Sequence, residues 1–377
     1  MTSKQRIMKA FANSGEPDRV PVEPGLDWDT LTNLSGLDYW EYAREGNTEL
    51  SGLISYADKL GFDLYHYAAG IPVANPSGDV DVQIKTVEQG DDLRIVETNV
   101  TTSAGTIQEL LRKPKYNPEY AHKKFVKDIQ RDWPVFKQYF GTDWPVDPRY
   151  FDEYKKVGDR GVVGFVVHSP IDWWQECRHG GIQQVLFDFF DEEKMMEEIF
   201  EYYRVESFKY LKAVTQLNPK PDFVMVHGSS CSASVSSPDL FKKYVLPYVQ
   251  QAAALLKDAG VLSMFHVCGK SNEWVGMLAD TDLNVIDALE QEGKGGNVNL
   301  AEVKKLYGDK LCLKGNISAI TMANGSVEQV RDEVKEAIDA AAEGGGFMLA
   351  VGDSIGPKGN LANIEAMIET ALEYGKY

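Results

Sequence analysis

Eight short runs of β-branched and aromatic residues, most of them followed by an amphipathic stretch, constrain this chain more than any other feature. The runs are Arg19–Glu23, Asp63–Tyr67, Val162–His168, Phe223–His227, Leu262–Val267, Leu283–Asp287, Leu311–Lys314 and Phe347–Val351. Helical periodicity follows at Glu192–Gln216, Pro238–Ala259, Leu300–Leu306, Val327–Ala342 and Leu361–Tyr374. Ser237-Pro238 reads as an N-cap with proline at the first helical position, and Ser326 to Gln329 as a capping box. Eight strands in βα alternation predict a (β/α)8 TIM barrel with its active site at the C-terminal strand ends. A length of 377 residues suits either one large barrel or two domains.

The stretch 72–160 breaks the alternation. Val80–Val87 and Leu93–Thr98 flank Gln89-Gly90-Asp91-Asp92 and predict a β-hairpin, while Trp133–Tyr139 and Pro148–Val157 predict helices. This segment is read as an insertion after the second strand, forming a lid or a partner surface. With no internal repeat or linker-like tract, residues 1–377 are expected to form one elaborated domain.

Charge narrows the partners. Asp and Glu number 57 against 39 Lys and Arg, a formal charge of −18, whereas polyanion binding rests on basic patches. Nucleic acid and anionic membrane surfaces are therefore excluded as expected partners. No stretch approaches the roughly 18 apolar residues of a membrane span, the start lacks the apolar core of a signal peptide, and four cysteines are too few for a disulfide framework. The expected compartment is the cytoplasm, where free thiols can bind metal.

Of six histidines, four fall at predicted strand ends: His66, His168, His227 and His266. In a barrel those ends converge on one mouth. His266-Val267-Cys268-Gly269 closes the fifth strand, and residues i and i+2 of an extended segment share a side, so an imidazole nitrogen and a thiolate can hold one ion. That pair suits zinc. A third ligand is sought at Asp353 after the eighth strand, Cys231 after the fourth, or Asp287 or Glu290 after the sixth, while Cys312 reads as strand core. Three protein ligands and one open position define a catalytic zinc site. Trp28, Tyr65, Tyr67, Phe165, Trp173 and Trp174 lie on or just after strand ends, where they either pack in the core or line a pocket for a planar aromatic ligand. Gly352 to Pro357 reads as turn chemistry, and no GxSxG, Walker A or GxGxxG context is present.

Several motifs together resemble the uroporphyrinogen decarboxylase superfamily, and within it the cobalamin-dependent methyltransferase branch. They are Lys4-Gln-Arg-Ile-Met-Lys-Ala10, Pro17-Asp-Arg-Val-Pro-Val22, Ser237-Pro-Asp-Leu-Phe-Lys-Lys-Tyr-Val-Leu-Pro-Tyr248, His266-Val-Cys-Gly269, Gly315-Asn316, and the closing Gly345-Gly-Phe347, Gly352-Asp-Ser354 and Asn363-Ile-Glu-Ala-Met367. The resemblance runs from about residue 180 to the end and over the first 25 residues, and it fails in the insertion.

It implies a TIM barrel and two rival chemistries. Porphyrinogen decarboxylases of this family hold propionates with an arginine-rich loop after the first strand and place an Asp after the second. Here those places read Glu23-Pro-Gly-Leu-Asp-Trp28 and Ala68-Ala-Gly70. The methyltransferase branch is similar through its HxC zinc pair, His266 and Cys268, but its third ligand is commonly a Cys after a Gly where this chain has Gly352-Asp353. A harder oxygen ligand raises Lewis acidity and favours polarising an oxygen-bound methyl group.

The resulting expectation is a zinc-dependent methyltransferase that moves a methyl group from a small substrate, a methoxylated aromatic, to the Co(I) of a corrinoid (cobalamin) carried by a partner protein. Zinc is assigned to His266, Cys268 and Asp353. His168 or His227 protonates the leaving oxygen or orients the substrate, and Trp28, Tyr65, His66, Tyr67 and Trp174 bind it. Three alternatives stay open: methyl transfer from a methylated corrinoid to a thiol, porphyrinogen decarboxylation, and a corrinoid-protein docking module without catalysis. The oligomeric state is left open.

Overall fold

The computed structural model describes residues 1–46, 48–70, 79–141, 146–356 and 359–377. Eight parallel strands form a nearly closed barrel: β1 (Val22–Glu23), β2 (Leu64–Gly70), β7 (Gly161–His168), β8 (Phe223–His227), β9 (Leu262–Val267), β10 (Val285–Ala288), β11 (Cys312–Ile317) and β12 (Phe347–Val351). Their order around the sheet is β1-β12-β11-β10-β9-β8-β7-β2. Each of the eight predicted strands contributes to it. The first shortens from Arg19–Glu23 to Val22–Glu23. Pro21 has no N–H to give a ladder, although its carbonyl still accepts from Leu349 at 2.9 Å.

Where β1 meets β2 the seam rests on one residue. The Asp63 amide donates to the Val22 carbonyl at 2.9 Å, and Asp63 Oδ2 accepts the Val22 amide at 2.9 Å. Arg6 and Arg19 hold the same buried carboxylate, each at 2.6 Å.

The barrel interior is filled from below. The helix Ser3–Phe11, started by a capping box at Thr2, inserts Ile7, Ala10 and Phe11 among Tyr65, Val162, Phe223, Met264, Val285, Cys312 and Met348. Cys312 is core, as the sequence implied. A second apolar layer lies between the strands and the surrounding helices, which include Glu193–Thr215, Val327–Ala341 and Leu361–Tyr374. The helix predicted at Pro238–Ala259 carries a π-turn at Phe241–Val245, with the Leu246 amide reaching back to the Phe241 carbonyl. Pro247 follows directly and cannot donate, which accounts for the widened turn there.

Between β2 and β7 the chain builds a separate antiparallel sheet of β3 (Asp81–Gln89), β4 (Leu93–Thr102), β5 (Gly105–Pro114) and β6 (Tyr120–Lys123). Only the first two of these strands are legible as a hairpin in the sequence. Residues along β5 are mostly half-buried with no clean alternation, so the two-residue period that marks a strand is weak. Val100 and Ile107 join this sheet to the main core through the helix Ile129–Tyr139. No helix among the described residues is long and apolar enough to cross a membrane.

Candidate active site

One layer of the barrel carries almost all of its chemistry. His168, His227, His266, Asp287 and Lys314 are register partners on successive strands from β7 to β11. Side chains at one level of a parallel sheet face the same side, so this row points into the mouth. The His168 and His227 rings lie 5.4 Å apart, and His227 stacks on His266 at 5.1 Å.

Cys268 follows β9 directly, and the turn behind it depends on Gly269, whose φ is +74° and whose amide is bonded by the Glu290 carboxylate. The loop after β12 brings Asp353 over the same spot. One ligand atom each from His266, Cys268 and Asp353 lie within 4.8 Å of one another. Two of these side chains are half-buried and Asp353 is exposed.

This donor set fits a metal ion. His266 Nδ1 is bonded to Asp287 Oδ2 at 2.7 Å, which leaves Nε2 as the nitrogen for a ligand bond. Three donors, one each of nitrogen, sulfur and oxygen, with His266 and Asp353 lining the adjoining cavity, suit a catalytic rather than a closed structural zinc site. Burial alone would lower the His266 imidazole, but its hydrogen bonds to Asp287 and Cys268 carry it up to about 10. Burial likewise opposes ionisation of Asp287, and the charges of Lys314 and His266 outweigh it, holding that carboxyl well below the usual range. His227 goes the other way: burial, together with the neighbouring histidines, pushes it down to about 3. Its Nε2 is 3.1 Å from Ser229 Oγ, and its buried Nδ1 faces Asp172 Oδ1 at 3.8 Å without a hydrogen bond.

A cavity of about 240 Å³ opens beside the triad, lined by Glu23, Glu49, Tyr65, Tyr67, Met225, His227, Lys314 and Asp353 among others. Among the described residues Lys314 is the only lysine or arginine facing it. A larger cavity of about 1030 Å³ lies outside the mouth, between the helices Trp28–Ser35 and Tyr39–Arg44 and the antiparallel sheet. None of the three metal-ligand candidates lines it.

The structure moves three of the five expected substrate contacts out of this cavity. Tyr65 and Tyr67 face inward, so His66 between them faces outward, where it is buried and its Nε2 lies 3.1 Å from Glu153 Oε2. Trp28 opens a helix, stands edge-on to Tyr42 at 4.8 Å and lines the larger cavity instead. Trp174 is fully buried against Trp133, because Ser169-Pro170 starts a helix immediately after β7 and turns its aromatics into the outer core. Trp173 and Phe165 lie in that outer core too.

Two of the alternative ligands are also committed elsewhere. Cys231 is fully buried beside Ser169 and Asp172, and Asp287 supports His266 from behind. Residues that sequence reasoning passed over are Lys314, Glu23 and Glu49. Lys314 alone left a signal, a lone charge in the apolar run Leu311-Cys-Leu-Lys314.

A family model described as uroporphyrinogen decarboxylase (URO-D) matches residues 154–374. The methylcobamide:CoM methyltransferase MtaA of Methanosarcina barkeri is 32% identical over 154 residues, 41% of this chain and 42% of that protein. MtbA of Methanosarcina mazei, also named a methylcobamide:CoM methyltransferase, is 22% identical over 55% of this chain and 58% of its own. The uroporphyrinogen decarboxylase of Chlorobaculum parvum is 26% identical over 42% and 44%. The aligned part thus spans less than half of the MtaA relative. A solved structure, described as a methyltransferase from Methanosarcina mazei, superposes with a TM-score of 0.67 at 17% identity over 99% of both chains, which establishes the shared fold.

Proposed function

The chain belongs to the uroporphyrinogen decarboxylase family, and we propose that within it this barrel is a cytoplasmic, zinc-dependent methyltransferase working with a corrinoid protein. The observation that carries the reading is the convergence of His266, Cys268 and Asp353 at the edge of a small cavity. Decarboxylation of a porphyrinogen needs cations to neutralise its carboxylates. The one lysine among the described residues that faces this cavity is already matched by Asp287 at 2.9 Å and Glu23 at 3.4 Å.

Zinc held by His266, Cys268 and Asp353 supplies a Lewis acid for the oxygen to which the methyl group is attached. The chain's own residues do the rest. A volume of about 240 Å³ limits the donor to roughly a single ring, and Tyr65 and Tyr67 offer it aromatic walls, which supports a methoxylated aromatic. His227, kept neutral by burial, stands on the cavity wall and orients the reacting oxygen through Nε2, which shares Ser229 Oγ, while Nδ1 is turned to Asp172 and His168 packs behind. The open side of the mouth receives the corrinoid of the partner, and segment 72–160, of which 72–78 and 142–145 lie outside the described residues, is assigned as the lid or partner surface.

A second reading reverses the direction, from methylated corrinoid to a thiol. The names of the MtaA and MtbA relatives favour it. Incubating the protein with a reduced corrinoid and a methoxylated aromatic, and separately with a methylated corrinoid and a thiol, tests both. Methylated corrinoid and the corresponding phenol, abolished by a chelator, are expected. Methylation of a thiol by methylated corrinoid, without the forward reaction, would establish the second reading. Decarboxylated porphyrinogen without metal dependence would falsify both. Tight binding of the corrinoid protein with no turnover in either direction would leave the docking module.

A further inference from the structure

Behind the metal-ligand candidates lies a buried charge row of which the chemistry above uses only the bond from Asp287 to His266. Lys314 Nζ donates to Asp287 Oδ1 at 2.9 Å, and the other oxygen of the same carboxylate, Oδ2, holds His266 Nδ1 at 2.7 Å. Glu23 Oε2 approaches Lys314 from the far side at 3.4 Å. The side chains of Lys314 and Asp287 are each only 6% exposed.

Burying such charges costs several kcal/mol per ion, and replacing a buried pair with well-packed apolar residues is often neutral or stabilising. The layer directly below this one is apolar, with Met264, Val285 and Cys312 at the corresponding inward positions. Barrel packing alone therefore gives no reason for the row. Its geometry does give one, because each Asp287 oxygen is bound by a different partner, which fixes the carboxylate plane and through it the tilt and tautomer of the His266 ring. His266, Asp287 and Lys314 are also register partners on β9, β10 and β11, so backbone ladders set their spacing. Cys268 and Asp353, by contrast, sit on the loops that follow β9 and β12.

We propose that Asp287 and Lys314 are positioning residues for the metal site, with Lys314 acting on the ion only through Asp287 and Asp287 only through His266. The inference rests on the zinc reading given above. Its test is zinc affinity measured by chelator competition on the purified full-length protein, for wild type, Asp287→Asn, Lys314→Gln and the double variant. Asp287→Asn should weaken zinc binding 10- to 100-fold. Lys314→Gln should weaken it about 10-fold alone and leave it unchanged in the Asp287→Asn background, the signature of a residue that works through its neighbour.

Cobalt(II) substitution provides a readout that misfolding cannot imitate. The thiolate-to-cobalt absorption from Cys268 should persist in both variants, while the ligand-field bands shift with the His266 ring. Wild-type affinity in both single variants, or effects that multiply in the double variant, would overturn the relay. Loss of the thiolate band in both would assign the row to fold stability and overturn it as well. No zinc binding by the wild type would remove the zinc reading itself, a result distinct from all of these.

Discussion

The His227 ring lies nearly parallel to that of His266, with centroids 5.1 Å apart and planes inclined by 11°. Register produces this pairing, since the two residues are partners on β8 and β9. His227 thus faces the same space as the candidate metal without belonging to the triad. Ligation and orientation of the substrate should separate by mutation. His227→Leu is expected to retain one zinc per chain and to lower kcat by about 10²-fold or more. Metal analysis alongside single-turnover rates checks this, and loss of zinc would make His227 a ligand.

The three proposed ligands differ in how firmly the fold holds them. Cys268 is attached to the end of β9 and half-buried, whereas Asp353 is exposed on the loop after β12. Cys268→Ala should therefore abolish stoichiometric zinc, and Asp353→Ala should weaken zinc without eliminating it. Unchanged zinc affinity in Asp353→Ala would transfer the oxygen ligand to Glu290, whose carboxylate already reaches the Gly269 amide beside Cys268.

Barrel closure should depend on Asp63 more than on any apolar residue of the seam. Its carboxylate is fully buried and serves Arg6, Arg19 and the Val22 amide at once. Removing it with Asp63→Ala leaves two half-satisfied guanidinium groups and an orphaned strand amide. A loss of about 3–5 kcal/mol is expected from denaturant unfolding. A loss below about 1 kcal/mol would show that the seam is held by the surrounding helices instead.

Strand ends were legible in the sequence, and so was the gathering of His168, His227 and His266, because a parallel barrel carries every strand terminus to one rim. The facing of each side chain was not. Leu64-Tyr65-His66-Tyr67 is buried on both faces, so hydropathy gives no inside or outside, and only the fold shows that the tyrosines look inward. Trp173 and Trp174 fail for a different reason: the chain enters a helix at Pro170 and carries them away from the mouth. Lys314 and Asp287 are 27 residues apart and meet only through the pairing of β10 and β11, a partnership that no sequence spacing announces.

That distinction between inward and outward aromatics yields the last prediction. Tyr67 lines the cavity beside the triad, while Trp174 is fully buried in the outer core. Tyr67→Ala removes a wall from the substrate's space but lies within a mouth already open to water. It should raise KM about 10-fold, with a smaller effect on kcat and little loss of stability. Trp174→Ala deletes a packed indole from among Trp133 and Trp173 and should cost about 3–5 kcal/mol of stability while leaving KM near its original value. Steady-state kinetics and unfolding curves on the same two variants decide the matter. If Trp174→Ala raised KM in a fully folded protein and Tyr67→Ala did not, the substrate would bind outside the barrel mouth, and the larger cavity lined by Trp28 would become its site.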